Sequence, residues 1–196
     1  MNENFNEFSL PFNDFLIKYY GKKSIKGIEI GVETGLNAVK LLNTLNIEKL
    51  YLIDPYREYI EEMGGDRLKR NLQLSCRVNL LKSKRNLKNY KNIERIFEDS
   101  SDAIKDIKEL CDFVYIDGNH SYDFVKKDIE LYKDIIKKGG VIGGDDYIDK
   151  WFGVIKAVDE FIKKTGYTLY LEKYKVSTGK NELGYFYDQN WWIIKE

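Results

Sequence analysis

Three aspartates follow two apolar runs that have the character of buried strands. Asp117 ends the run DFVYID, and Asp145 and Asp146 end the run VIGGDD. If these runs are adjacent parallel strands, the three carboxylates meet at one edge of the sheet, where like charges rarely cluster without a cation. Oxygen ligands suit a hard ion such as Mg²⁺, so we predict that the three aspartates bind one. The alternative is that one of the tandem aspartates caps the following helix, at Trp151, while Asp117 accepts hydrogen bonds from loop amides.

The single histidine of the protein, His120, lies three residues after Asp117. An imidazole has an unperturbed pKa of about 6.5, so it can accept a proton near neutral pH. A lone histidine is usually structural, but one in a strand-end loop beside clustered acids is a better candidate for a functional role. We therefore predict that His120 acts as a general base and that Asp117 also takes part in catalysis.

A second functional signal is the glycine spacing in GIEIGVETG. Glu29 lies at the end of the strand-like run, and Gly31 and Gly35 lie in the turn that follows. This is E-x-G-x-x-x-G, whereas dinucleotide-binding folds use the tighter G-x-G-x-x-G to approach a pyrophosphate. S-adenosylmethionine carries no phosphate and needs room for its methionine part, so the spacing favours this methyl donor. The alternative is that the glycines serve only the packing of strand and helix.

Further candidate cofactor ligands end the second and third strand-like runs. Asp54 ends LYLID, where a carboxylate can accept hydrogen bonds from ribose hydroxyls, unless it caps a helix that starts at Pro55. Asp99 and Ser100 lie in FEDSSD, where they would receive the amino group and ring edge of adenine, unless they cap the next helix. Together with Asp117 after the fourth run, these residues complete the predicted cofactor site.

The alternation of apolar runs predicts a sheet that would bring these residues together. Strand-like segments at 27–31, at 50–54, and in IERIF, DFVYID and VIGGDD alternate with segments of helical spacing. This rhythm predicts an α/β fold with a right-handed, doubly wound, mostly parallel sheet. Ligands bind such sheets beyond the carboxyl ends of the strands, which is where the candidate residues lie.

Helices and a terminal hairpin complete the predicted architecture. An N-terminal helix should stop at Gly21, and a helix that includes Ile136 should stop at Gly139. Residues 56–92 are predicted to be a long, polar, mostly helical connection. The aromatic-rich runs Tyr167–Val176 and Leu183–Ile194, separated by STGKNE, predict an antiparallel hairpin.

Length, composition and charge narrow the class of protein. The 196 residues suit one domain, 1–196, divided into an N-terminal helix (1–22), a cofactor-binding core (23–150) and a helix with a hairpin (151–196). The 32 basic and 32 acidic residues leave no net charge, which disfavours nucleic acid as a partner. Without a leader pattern or a membrane-spanning stretch, we expect a cytoplasmic protein with no membrane partner. The sequence leaves the oligomeric state open, including a homo-oligomer.

The residues that carry these signals resemble those of a known family. In order along the chain, the cofactor candidates are similar to the motifs of class I S-adenosylmethionine-dependent methyltransferases: Glu29, Gly31, Gly35, Asp54, Asp99 and Ser100. The resemblance implies a Rossmann-like, seven-stranded sheet with an antiparallel C-terminal hairpin and S-adenosyl-L-methionine as cofactor. The segment from Tyr115 to Tyr147 further resembles the bacterial methyltransferase domain 24 group, which shares IDG-x-H-x-Y and GG-x-I-x-x-DD-Y runs.

The aspartates resemble the metal ligands of catechol-type O-methyltransferases. In those enzymes the metal holds and acidifies a hydroxyl, and a catalytic lysine stands where this chain has His120. The resemblance implies Mg²⁺-assisted O-methylation of a small hydroxylated molecule. A small-molecule N-methyltransferase without metal and a non-catalytic cofactor-binding protein of the same fold are the alternatives. A nucleic-acid methyltransferase is disfavoured because no [DN]PP[YFW] run follows the fourth strand, and the glycine spacing disfavours an NAD-dependent oxidoreductase.

Overall fold

The computed structural model describes residues 10–64, 66–70, 73–181 and 184–196. Its strands are β1 (Ile25–Ile30), β2 (Ile47–Ile53), β3 (Tyr59–Met63), β4 (Asp66–Arg70), β5 (Ile93–Ile96), β6 (Cys111–Ile116), β7 (Ile136–Gly144), β8 (Tyr170–Asn181) and β9 (Gly184–Ile194). Seven of them form one sheet in the order β5-β2-β1-β6-β7-β9-β8. The pairs from β5 to β7 are parallel, and β9 is antiparallel to both of its neighbours. The predicted mostly parallel sheet with an antiparallel C-terminal hairpin is confirmed.

Helices cover both faces of this sheet. They are α1 (Pro11–Tyr20), α2 (Leu36–Thr44), α3 (Gln73–Asn86), α4 (Ser100–Ala103), α5 (Tyr122–Tyr132) and α6 (Phe152–Thr165). The helices α5 and α6 bury side chains such as Ile129 and Val158 in one core, and α1 and α2 bury Leu16 and Leu41 in the other. Because both faces are covered, every residue of β6 is buried, which explains why all of its residues except Asp112 are apolar. No helix among the described residues is long and apolar enough to cross a membrane.

The connection 56–92, predicted to be mostly helical, begins as a β-hairpin. The strands β3 and β4 are antiparallel and form a separate two-stranded sheet, and α3 occupies only the second half of the segment. Gly64 supplies the turn with a φ of +57°. The helical prediction was wrong here because the buried position at the centre of β3 is Glu61, a charged residue, so the strand has no hydrophobic alternation.

The predicted end of the helix before β7 was also wrong. The helix α5 ends at Tyr132, a 3₁₀ turn covers Lys133–Ile135, and Ile136 already belongs to β7. Ile136 is 1% exposed because it packs on the sheet rather than on a helix face. Gly139, the predicted stop signal, lies instead inside β7 with a φ of +74°, where the register between β6 and β7 shifts.

The first strand of the C-terminal hairpin begins and ends later than the sequence pattern predicts. The strand β8 begins at Tyr170 and continues to Asn181, so most of the STGKNE segment is part of the strand rather than the turn. Its partner β9 begins at Gly184. The connecting residues 182–183, which include the predicted strand start Leu183, lie outside the described residues.

Candidate active site

The carboxyl ends of the parallel strands border a cavity of about 880 Å³. Five of the predicted cofactor residues line it: Gly31, Asp54, Asp99, Ser100 and Asp117. Its remaining walls come from the β2–β3 connection, from α3 and from the first turns of α5. The volume falls in the range of cavities that hold a cofactor or a small molecule. The parallel topology therefore brings most of the predicted cofactor site together.

The two predicted cofactor glycines have different surroundings. Gly31 has a φ of +86°, and a Cβ added there would overlap the carbonyl oxygen of Asp117, so glycine is needed where the β1 and β6 loops meet. Gly35, at a φ of +77°, lies away from the cavity, and an added Cβ would come within 2.8 Å of the Leu87 side chain. The structure thus explains Gly35 through packing, and its predicted contact with a cofactor stays a prediction.

Glu29 is a buried carboxyl group within β1 and does not line the cavity. Its side chain is 1% exposed, and its Oε1 accepts a hydrogen bond from Asn37 Nδ2 at 3.3 Å. Within the described part of the chain, Oε2 has no hydrogen-bond partner. Burial raises the pKa of Glu29 to about 8. The group is therefore mainly neutral at pH 7, and its predicted role toward the cofactor is left to experiment.

Asp54 organises the turn between β1 and α2. Its Oδ2 accepts hydrogen bonds from the backbone N–H groups of Val32 and Glu33, at 3.1 and 2.9 Å, and its Oδ1 accepts one from the N–H of Tyr56 at 2.8 Å. No helix follows, since β3 is the next element, so the helix-cap alternative is wrong. Burial raises the pKa of Asp54 even though these bonds oppose the rise. A carboxylate has about four lone-pair sites, so one remains for a ligand in the cavity.

At the end of β5 the sequence reasoning found two residues and missed their partners. Asp99 precedes α4 but makes no capping hydrogen bond, and its carboxylate pairs with Arg57. The hydroxyl of Ser100 donates a hydrogen bond to Asp128 on α5, a cavity-lining carboxyl that is 3% exposed. Burial raises the pKa of Asp128 to about 7. Local patterns could not identify these partners, because each lies on a different element of the fold.

The predicted catalytic residues converge after β6 and β7. Asp117, His120 and Asp146 each offer one ligand atom, and these atoms all lie within 4.8 Å of one another. The ring nitrogen Nε2 of His120 lies 2.7 Å from Asp146 Oδ2 and 3.4 Å from Asp117 Oδ1. Asp146 has a φ of +61°, a conformation that few side chains adopt and that often marks a functional constraint.

Asp145, the third predicted metal ligand, is hydrogen-bonded in another direction. Its Oδ2 accepts a hydrogen bond from the Tyr174 hydroxyl at 2.6 Å, and its Oδ1 accepts one from Asn190 Nδ2 at 2.9 Å. The N–H of Asp146 also donates to Oδ1, at 2.8 Å. Neither tandem aspartate caps α6, which begins after Trp151 without a side-chain cap. The structure therefore groups Asp146 with Asp117 and ties Asp145 to the C-terminal hairpin.

Glu61 is the functional candidate that sequence reasoning missed. It lies on β3, is 1% exposed, and its Oε1 lies 2.7 Å from Nδ1 of His120. The same oxygen accepts a hydrogen bond from the backbone N–H of His120 at 2.8 Å. On its other side the imidazole stacks on Trp151, with ring centroids 4.7 Å apart. The sequence carried no signal for this residue, because an acidic side chain at the buried position of β3 removes the apolar alternation by which a strand is recognised.

The electrostatics of this cluster are dominated by carboxylates. Burial alone would lower the pKa of His120, but hydrogen bonds with three surrounding carboxylates raise it well above 6.5. Burial raises the pKa of Asp117 despite its hydrogen bond with His120, and the charge of Asp145 adds to the increase. Burial opposes ionisation of Asp146 as well, but the hydrogen bond with His120 and the charge of that ring, together with Asp188 and Lys150, lower its pKa. The ring of His120 is therefore a charged imidazolium at neutral pH. The surrounding carboxylates also favour the binding of a cation.

A further aspartate from the hairpin adds to this negative charge. Burial and the charge of Asp146 raise the pKa of Asp188, which precedes the buried part of β9. Burial and the same neighbour also raise the pKa of Asp145. The site can thus bind a cation or hold a proton on its imidazole, beside a cavity large enough for a cofactor.

Comparison with known proteins identifies the fold and the family. A family model described as a methyltransferase domain matches residues 28–147. A curated relative, the uncharacterized protein R132 of Acanthamoeba polyphaga mimivirus, is 29% identical over 150 residues, which cover 75% of this chain and 63% of that protein. The chain therefore spans less than two thirds of the length of this relative.

Several solved structures share the fold at low sequence identity. Precorrin-6y C5,15-methyltransferase from Geobacter metallireducens has a TM-score of 0.66 and 16% identity, with 100% of this chain and 92% of that chain covered. An rRNA methylase from Streptococcus thermophilus has a TM-score of 0.63 and 14% identity, covering 97% and 99%. The O-methyltransferase TomG from Streptomyces achromogenes, solved with S-adenosylmethionine, has a TM-score of 0.62 and 13% identity, covering 97% and 82%. Their activities differ, so the shared fold leaves the acceptor open.

Proposed function

Because this chain belongs to the methyltransferase domain family, we propose that it uses S-adenosylmethionine to methylate a hydroxyl group of a small molecule. The observation that carries the proposal is the position of His120 Nε2, which lies 2.7 Å from Asp146 and 3.4 Å from Asp117 at the wall of the cavity. An imidazole so placed suits removal of a proton from a hydroxyl while that hydroxyl is methylated.

The cavity residues would bind and orient the cofactor. When bound, S-adenosylmethionine supplies the methyl group from its sulfonium centre. The lone pair left on Asp54 suits a ribose hydroxyl, and the bare backbone of Gly31 allows close approach. Ser100, with Asp99 and the newly identified Asp128, would recognise the adenine ring. These assignments rest on residue chemistry and on position along one wall of the cavity.

The cluster after β6 and β7 fits a divalent cation by the chemistry of its donors. Asp117 and Asp146 offer carboxylate oxygens close together, and His120 offers a nitrogen in the same group. Carboxylates suit Mg²⁺ or Mn²⁺. We propose that Asp117 and Asp146 hold the ion, and that Asp145 adds the unused lone pair of its Oδ2. The ion would supply charge neutralisation and acidify the acceptor hydroxyl.

His120 would then act as the base. The ring accepts a proton only when Nε2 is unprotonated, and the charges of Asp117 and Asp146 hold the ring protonated in the free protein. Neutralising those carboxylates lowers the pKa of His120 toward the range in which an imidazole exchanges protons near pH 7. We expect the acceptor hydroxyl to bind beside Asp117 and Asp146, and Nε2 already faces these two aspartates.

The surplus of carboxylates also supports a second candidate function, N-methylation of a small amine. Three carboxylates surround one imidazole, those of Glu61, Asp117 and Asp146, and Asp145 and Asp188 lie close to Asp146. A protonated amine would be attracted to this charge. Such a reaction needs no metal, because the bound ammonium neutralises the cluster. The ammonium would pass one proton to a carboxylate such as Asp117, whose pKa is raised, and the freed nitrogen lone pair would then take the methyl group. The two candidates differ in the acceptor and in their response to chelation.

Methyl transfer from S-adenosylmethionine labelled in the methyl group tests both. We would offer sugars and phenols, small amines, and rRNA fragments as separate acceptor panels, each with Mg²⁺ or with EDTA. We expect label in a hydroxylated small molecule and a loss of transfer in EDTA. Label only in amines, unaffected by EDTA, would favour the second candidate. Label only in RNA would overturn both.

A further inference from the structure

We infer that Glu61 is a positioning residue, which fixes the orientation of the His120 ring, and that the β3–β4 hairpin serves to deliver it. The inference deepens the proposed function, because it rests on the role proposed for His120 as base. Nothing in the strand-end pattern of the fold requires this residue, since β3 lies outside the seven-stranded sheet.

One oxygen of Glu61 holds both the backbone and the ring of His120. Oε1 accepts a hydrogen bond from the backbone N–H at 2.8 Å and lies 2.7 Å from Nδ1. An imidazole can be turned over about its bond to Cβ, which exchanges the positions of Nδ1 and a ring carbon. A hydrogen bond from Nδ1–H to Glu61 selects one of these two orientations. In that orientation Nε2 faces Asp146 and Asp117.

The residues of β3 on either side of Glu61 also bond to the loop after β6, which contains His120. Asn119 Nδ2 donates a hydrogen bond to the carbonyl oxygen of Ile60 at 3.0 Å, and the N–H of Glu62 donates one to Ser121 Oγ at 2.9 Å. Three consecutive residues of β3 therefore bond to three consecutive residues of the loop. Because the loop itself follows β6, this bonding fixes the hairpin relative to the main sheet. Glu61 is held in place by its neighbours rather than by its own side chain alone.

The chemistry needs a carboxylate at this position. When Nε2 takes the proton of the acceptor, the O–H bond breaks and an N–H bond forms, and the oxygen electron pair forms the new bond to the methyl carbon. The pair of the former S–CH₃ bond stays on sulfur, and the ring becomes an imidazolium. Glu61 accepts the hydrogen bond from Nδ1–H and stabilises this imidazolium, as an aspartate does in hydrolase triads.

The single histidine of the chain makes this inference measurable without any acceptor. Proton and nitrogen-15 NMR of ring-labelled protein reports one imidazole, so its ring signals need no further assignment. We would compare the wild type with Glu61→Ala, Glu61→Gln and Glu62→Ala. Glu62 is the matched control, because it is the next residue of β3, its side chain is exposed, and its hydrogen bond to Ser121 comes from the backbone. Binding of S-adenosylhomocysteine would check that each variant is folded.

We expect a protected, strongly downfield proton on Nδ1 in the wild type and in Glu62→Ala. In Glu61→Gln the proton should remain but shift upfield, because a neutral amide oxygen is a weaker acceptor. In Glu61→Ala it should exchange with water and disappear. An unchanged Nδ1 proton in folded Glu61→Ala or Glu61→Gln would overturn the inference.

Once an acceptor is known, the kinetics of methyl transfer provide a second test of the positioning role. We expect Glu61→Ala to lower kcat by about 10–100-fold with little change in KM for S-adenosylmethionine, and Glu61→Gln to recover part of the loss. A KM effect without a kcat effect would contradict a positioning role. If the NMR signals change as expected and no hydroxyl is methylated, the proposed function fails while the orientation of His120 by Glu61 stands.

Discussion

Aspartates at the two ends of β6 have opposite electrostatic surroundings. At its start Asp112, 2% exposed, lies 2.8 Å from Lys137 Nζ and 3.5 Å from Lys23 Nζ, and it accepts the N–H of Lys26 at 2.8 Å. Burial opposes ionisation, but these partners lower the pKa of Asp112 below its usual value. After its end, Asp117 shares the ring of His120 with further carboxylates, and its pKa is raised.

The difference separates a carboxylate that stabilises the fold from one that is kept for a ligand. A buried charge that has lysines and a backbone N–H around it is already satisfied. Carboxylates that crowd one imidazole beside a cavity are not, and sites of this kind are candidates for function. The following experiments test this contrast, from the largest expected effect to the smallest.

The amide substitutions Asp117→Asn and Asp112→Asn should have opposite consequences. We expect Asp117→Asn to reduce methyl transfer by about 100-fold or more, because it removes a proposed cation ligand next to the base, while binding of S-adenosylhomocysteine is kept. Asp112→Asn should leave turnover per folded molecule unchanged and cost about 1–3 kcal/mol of unfolding free energy. Steady-state kinetics and urea unfolding measure the two effects. Wild-type turnover by Asp117→Asn would remove the basis of the metal proposal.

We expect added ligands to bind at the end of β6 that carries Asp117 and not at the end that carries Asp112. We expect calorimetry to give micromolar binding of S-adenosylhomocysteine, about 8 kcal/mol, and no binding of NAD. Mg²⁺ at about 100 times its Kd should add about 2.7 kcal/mol of stability to the wild type and to Asp112→Asn, and none to Asp117→Asn. Equal stabilisation of both variants would place the ion elsewhere, and binding of NAD without the homocysteine ligand would contradict the cofactor.

The stability of the metal-free protein should depend on pH with opposite signs at the two ends. The raised pKa of Asp117 means that the folded state binds this proton more tightly, so above about pH 3.9, the ordinary aspartate value, its contribution falls as pH rises. The lowered pKa of Asp112 means that its contribution is present above that value and is lost as pH falls through the folded pKa. Urea unfolding across pH should therefore show a smaller decline between about pH 3.9 and 7 in Asp117→Asn, and a smaller acid loss in Asp112→Asn. The same curve for both variants would contradict the contrast.

We expect the smallest effect when Glu29 is replaced by its amide, Glu29→Gln. Because its pKa is about 8, the group is mainly protonated at pH 7, and Glu29→Gln should bind S-adenosylhomocysteine nearly as the wild type does. Glu29→Ala should weaken binding, because it removes the partner of Asn37 beneath the cofactor turn. Calorimetry at pH 7 compares the two. A loss of affinity in Glu29→Gln equal to that in Glu29→Ala would show that the charged form is needed.

Much of the candidate site was predictable because it depends on topology. Asp54 and Asp117 directly follow a parallel strand, and Asp99 lies three residues after one. Parallel strands present these ends at one edge of the sheet. Apolar runs of strand length and the glycine spacing were enough to identify that edge. The boundaries at Ile136 and Gly139 were less predictable, because a glycine can end a helix or allow a shift of register within a strand.

The missed residues all reach the site from distant parts of the chain. Glu61 is 59 positions from His120, Arg57 is 42 from Asp99, and Asp128 is 28 from Ser100. No periodic pattern connects such pairs. An acidic residue on the buried side of a short strand also conceals the alternation by which strands are recognised.

By itself the sequence determined the order of the strands and helices of the main sheet and the candidate residues at the strand ends, because apolar periodicity and parallel crossovers are properties of short segments. Only the tertiary structure decided that Asp146 faces His120 while Asp145 bonds to Tyr174, and that Glu61 holds the other side of the ring. The physical reason is that a buried polar group takes its partners from whichever segments pack around it, and that choice is made only when the whole chain is folded.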